Sequence, residues 1–171
     1  MEDVAVVARQ IGRPPRAFRR VVVRCPWGRP AVTEQAPYDR DGRPFPTTYW
    51  ITCPHLVAAI SRLEAAGGVE RWSAAARDDP ELAASLAAAT EEQRRLRHEL
   101  ARDTPRGDRG SSLDLGIGGS RSPAHLKCLH AHVAFALARP GYLLGERILA
   151  ELGELWPESE CCSESLLRGG E

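Results

Sequence analysis

Five cysteines and five histidines stand out in this chain of 171 residues, because thiolate and imidazole are the usual protein ligands of zinc. Cys25 and Cys53 each precede a proline, in Cys25-Pro26 and Cys53-Pro54, and Cys128 opens the run Cys128-Leu129-His130-Ala131-His132. If 124–138 is one helix, His125, Cys128 and His132 fall on one stripe, since spacings of three and four bring side chains together. Leu126, Leu129, Val133 and Leu137 then take the core face, with His130 at its margin. A shared site would draw Cys25, Cys53 and Cys128 from across the chain, with His55, His132, Cys161 or Cys162 as a fourth ligand. Four soft ligands suit zinc; three thiolates with an open position also suit a reactive zinc or an iron–sulfur cluster. The other reading of the same residues is small core thiols and ordinary histidines.

A second candidate is the run Gly116-Ile117-Gly118-Gly119-Ser120-Arg121. Glycines at 116, 118 and 119 can turn backbone N–H groups inward as an anion-binding nest, with Arg121 beside it. No strand precedes it with phosphate-loop spacing, so a plain hinge is the alternative. Lys127, the only lysine, is an electrostatic candidate on the solvent side. No Ser/His/Asp order or carboxylate pair suggests another catalytic site. An enzyme reading therefore rests on Cys128 or Cys53 as nucleophile, with His130 or His55 lowering the thiol pKa and the 116–121 loop holding an anionic substrate.

These residues need elements to position them. Val4, Val7, Ala8 and Ile11 have helical spacing over 2–11. Short β-branched stretches predict strands over 18–24, 31–35 and 47–52, which make a small antiparallel sheet near the N-terminus. Helices are expected over 55–66, ended by Gly67-Gly68, and from Pro80 to about 102, opened by Asp79 as N-cap. Leu82, Leu86, Gln93, Leu96 and Leu100 form the narrow stripe of the second. Residues 103–123 read as a loop, followed by helices over 124–138 and 142–155. The expected fold is α+β, mostly helical, as a single compact domain over 1–160 with a polar tail over 161–171.

Charge is balanced, with 23 basic and 23 acidic residues, which excludes an overall polycation built to coat nucleic acid. Seven arginines and no acid nevertheless lie between Arg9 and Arg29, and 146–164 is rich in Glu. Two solvated patches that meet one another is one reading. A metal-free interaction module, whose Arg9–Arg29 segment meets RNA or an acidic protein partner, is the other. No apolar run approaches the ~20 residues of a membrane span. The acidic, amphipathic start lacks a signal-peptide pattern, so a cytoplasmic location with reduced or metal-bound thiols is expected.

Arg24-Cys25-Pro26, the segment PFPTTYWITCP over 44–54, Arg62-Leu63-Glu64, and Lys127-Cys128-Leu129-His130 together resemble an actinobacterial family called domain of unknown function 501. The resemblance covers most of 2–160 and implies a small cytosolic bacterial protein, with no activity attached. It implies recurring thiols at Cys25, Cys53, Cys128 and Cys161 or Cys162, and a recurring imidazole at His130. Many members resemble Cys-Pro-Cys-Gly at the first site, where this chain has Trp27. Phe135 stands where a second His is frequent, and His132 is a substitute on the same stripe. The family's genes often lie near those for enolase and a septum-formation initiator, which points to a protein partner.

Overall fold

A computed structural model describes residues 2–122 and 124–162. The expected polar tail from 163 onward lies outside the described residues. The α+β expectation holds: among the described residues the chain forms six helices and one three-stranded antiparallel sheet near the N-terminus. The elements run α1 (Glu2–Ile11), β1 (Phe18–Arg24), β2 (Pro30–Gln35), β3 (Tyr49–Ile51), α2 (Pro54–Ala65), α3 (Gly68–Asp78), α4 (Pro80–Leu100), α5 (Leu129–Ala138) and α6 (Leu143–Glu151).

Strand order is β1-β2-β3, with Val21 opposite Thr33 and Thr33 opposite Trp50. All six residues of the central β2 are buried. The middle strand lies between both neighbours with α1 and α5 packed against it, so its polar Thr33, Glu34 and Gln35 need partners. Glu34 finds Arg20, whose Nε and Nη2 donate to its two oxygens at 3.1 and 3.0 Å.

Helix α5 is apolar nearly all round, and seven of its ten residues are buried, so it is the central rod of the helical layer. It packs on β3, α6 and α2. Tyr49 of β3 and Tyr142 at the start of α6 meet Phe135 edge-on, with centroids 5.6 and 5.7 Å away.

Three helices depart from the sequence expectation. Helix α3 has no counterpart in it, because the Gly67-Gly68 pair ends α2 and starts α3 without a loop between. Gly67 adopts φ +82°, and a side chain at Gly68 would stand 2.6 Å from the Leu63 carbonyl oxygen. The helix expected from 124 begins only at Leu129, and the last helix stops at Glu151 rather than 155. Beyond it the chain stays packed: Leu155 and Trp156 lie against the core, and Cys161 is 3 % exposed.

Candidate functional site

Cys25 and Cys53 stand at the same end of the sheet, on either side of β2. The Cys25 N–H donates to the Arg29 carbonyl at 2.9 Å, closing the turn into β2. Cys53 follows β3, and its N–H reaches the Ala31 carbonyl at 3.4 Å before Pro54 opens α2. The chain returns to this end at its last described residues. Cys161 Sγ lies 3.8 Å from Cys25 Sγ, and Cys162 Sγ lies 3.5 Å from Cys53 Sγ. All five cysteines are thiols, none in a disulfide. Burial raises the Cys25 thiol above its ordinary pKa and pushes Cys53 up to about 12, although N–H groups at the start of α2 favour the Cys53 thiolate.

Four of the five thiols are thus arranged two by two. Among the described residues no group of three or more Cys, His, Asp or Glu side chains converges to hold a metal ion. The expected convergence of Cys25, Cys53, Cys128, His132 and Cys161 is corrected accordingly: Cys25 and Cys161 meet, and Cys53 meets Cys162 instead.

Cys128 and His132 part company because α5 starts late. Cys128 is the extended N-cap residue, with φ −159° and ψ 151°, so four-residue helical spacing does not relate it to His132. Tertiary acceptors determine this start. The Leu126 N–H donates to Ser73 Oγ at 3.0 Å and the Leu129 N–H to Glu64 Oε1 at 2.6 Å. Cys128 lies beside the glycine loop, where a methyl group at Gly118 would stand 3.5 Å from its sulfur. Burial raises this thiol too, against the helix-start N–H groups of Ala131 and His130. His132 points into the core at 2 % exposure, with Nδ1 2.7 Å from the Tyr142 hydroxyl and Nε2 without a partner. His130 binds Glu64 instead, Nδ1 to Oε1 at 3.1 Å.

The glycine loop is a 3-10 turn over Ile117–Gly119 with φ +69° at Gly118 and +76° at Gly119. It is not the expected nest. The Gly116 N–H donates to the Ser120 carbonyl at 2.7 Å and the Gly119 N–H to the Gly116 carbonyl at 2.9 Å, so both are spent inside the loop. What remains for an anion is side-chain charge. Arg121 and Lys127, both exposed, line one cleft with Gly119, Pro44 and Pro46.

Four of the seven arginines of the arginine-rich segment pair with acids near the sheet. Arg24 pairs with Asp3 at 2.8 Å, Arg20 and Arg19 with Glu34 at 3.0 and 3.4 Å, and Arg16 with Asp39 at 3.5 Å. Glu151 is taken by Arg71 and by the Trp72 indole N–H, each at 2.7 Å.

One buried cation escaped the sequence reading. Arg97 is fully buried, donating to the Phe45 and Ser112 carbonyls at 3.0 and 3.2 Å. Its signal was present, since it lies four residues beyond Gln93 on the stripe through Leu82 and Leu86.

Fold and site therefore define a small α+β protein with thiol pairs at one sheet end and a cationic cleft on another face. Residues 21–150 match the family described as protein of unknown function (DUF501), and the chain belongs to that family. No curated protein and no solved structure matches the chain. No helix among the described residues is long and apolar enough to cross a membrane.

Proposed function

We propose that this protein binds a thiophilic divalent metal, zinc by class, through Cys25, Cys53, Cys161 and Cys162. The observation that carries the reading is the approach of two adjacent cysteines to two strand-end cysteines, at 3.8 and 3.5 Å. Thiolates ~2.3 Å from a tetrahedral zinc stand ~3.8 Å from one another, so each pair has the spacing of one edge of such a ligand set. Residues 161 and 162 are chain neighbours, and binding one ion to both pairs requires the 161–162 segment to shift toward the sheet. Cys128 and His132 drop out of the expected ligands, and Cys161 and Cys162, expected as alternatives, serve together.

The thiols at Cys25 and Cys53 carry their protons at neutral pH, so binding must displace protons and affinity must rise with pH. Protonated thiols are weak nucleophiles, and the same raised pKa values weigh against Cys53 or Cys128 as the nucleophile of an enzyme. Metal would join the tail to the sheet and add its binding energy to folding.

Elemental analysis with a visible spectrum, on untagged protein purified anaerobically, tests this. About one zinc per chain is expected for a four-thiolate site, or several irons with visible absorption for an iron–sulfur centre. Metal should be lost in the Cys161→Ser/Cys162→Ser variant and kept in Cys128→Ser and His132→Gln. A folded, metal-free protein, or metal retained without Cys161 and Cys162, overturns the assignment.

The two-by-two arrangement favours one further reading of the same atoms, as a pair of reversible disulfides. Each would form by exchange with a small-molecule disulfide, which leaves as two thiols and takes the electron pair and two protons. Peptide mapping after glutathione disulfide treatment separates the cases: 25–161 and 53–162 crosslinks in metal-free protein support this chemistry, and their absence there rejects it.

A further inference from the structure

We propose that the cleft between Pro44, Pro46, Gly119, Arg121 and Lys127 binds the phosphate group of a small organic phosphate ester. The cleft encloses about 570 Å³, within the usual range for small-molecule sites and more than an inorganic anion fills. Arg121 and Lys127, six positions apart between the 3-10 turn and α5, both line it. Among the described residues neither has a carboxylate within ion-pair distance, whereas Arg16, Arg20, Arg24, Arg71 and Arg95 all do.

The one acid on the wall, Asp108, is already committed. It accepts the Tyr38 hydroxyl at 2.6 Å, the Ser111 hydroxyl at 3.1 Å, and the N–H groups of Gly110 and Ser112 at 3.0 and 2.9 Å. Behind the same wall, the Arg97 guanidinium is buried with no ion pair among the described residues and with Nε lacking any partner. Two cations therefore line the cleft, with a third buried behind its wall, against one carboxylate whose lone pairs are engaged. A phosphate monoester, carrying about −1.5 to −2 charges at neutral pH, matches that excess better than a carboxylate.

The floor is built for close approach. Gly119 has φ +76°, and a side-chain carbon there would stand 2.7 Å from Pro46 Cβ and 3.8 Å from Lys127 Nζ. Loop and proline are thus flush, with the ammonium group above them. Pro44, Pro46 and Leu115 supply apolar wall for the organic part of the ligand. The inference does not rest on the thiol site, which it leaves untouched.

Titration of the full, isotope-labelled chain with inorganic phosphate and with glycerol 3-phosphate, at constant ionic strength, tests it by amide NMR shifts. Saturable shifts are expected at 116–121 and at Lys127, with the ester binding more tightly and glycerol alone producing none. Loss of one charge-assisted contact should weaken binding about tenfold in Arg121→Ala and in Lys127→Ala, with Lys127→Arg keeping most of it. Both side chains are exposed, so an unchanged melting temperature verifies the fold of the variants. Shifts that do not saturate, that spread evenly over the exposed arginines, or that persist in both variants overturn the proposal.

Discussion

His132 is an imidazole enclosed by apolar neighbours, and burial lowers its pKa to about 3. It is neutral in the folded protein, while in the unfolded chain it takes up a proton near the ordinary ~6.5. The unfolded state therefore binds more protons as pH falls below that value. The stabilisation is fully present above ~6.5 and is lost progressively toward pH 3. About 2 kcal/mol should disappear between about pH 8 and pH 5 from this group alone. Urea unfolding across that range should show the loss, and His132→Gln, which can still pair with the Tyr142 hydroxyl, should flatten the curve by that amount. An equal slope in wild type and variant would mean that another group titrates. The Tyr142 phenol, also raised by burial, stays protonated throughout. Residue type and its four-residue spacing from Cys128 suggested His132 as a ligand, and neither revealed that its ring would be sealed in the core.

Helix starts carry most of what mattered at the next scale. The bounds of α1 and β1 were legible to the residue, because their hydrophobic period and flanking Gly and Pro are local signals. α4 was legible from Asp79-Pro80, and the Asp79 carboxylate does accept the N–H groups of Glu81 and Leu82 at 2.8 and 3.3 Å. The start of α5 was not, because its acceptor comes from α2, 65 residues earlier: Glu64 takes the Leu129 N–H and holds His130. Glu64→Ala should cost about 2 kcal/mol, as expected for removing the charged acceptor of a partly buried N–H. Glu64→Gln should recover part of that by keeping an oxygen for Leu129. Chemical denaturation of the two variants checks the order, and equal losses would show that the retained oxygen contributes nothing and that the charge carries the contact.

Across the whole molecule, Arg97 fastens three distant segments: its own helix α4, the 44–46 stretch before β3, and the 108–113 loop. The guanidinium satisfies two carbonyl oxygens that would otherwise be buried without donors. Desolvation lowers its pKa to about 10, and it remains charged at neutral pH. Arg97→Leu should destabilise the protein by about 3 kcal/mol, since two acceptors lose their donors while little volume is lost. Amide hydrogen exchange should then speed up in 108–121 more than in α5, which keeps its own apolar packing. Uniform acceleration everywhere would instead mark Arg97 as part of the global core. The same variant removes one of the cations behind the phosphate cleft and should weaken glycerol 3-phosphate binding there.

The sequence by itself determined the class of fold, the three strands and most helices, since periodicity, caps and turn residues act over a few positions. It also marked the chemically interesting residues: the thiols, the glycine loop, Arg121 and Lys127. Which of these meet was decided by tertiary structure alone. Cys25 and Cys161 are 136 residues apart, and no local rule relates them; their contact follows from the path of 152–162 back across the core to the sheet end. The departure of Cys128 and His132 from that group, the spending of loop N–H groups on loop carbonyls, and the burial of a lone guanidinium have one physical cause. Each polar group takes the partner that the packed chain brings within reach, and packing between distant segments, rather than sequence spacing, sets which partner that is.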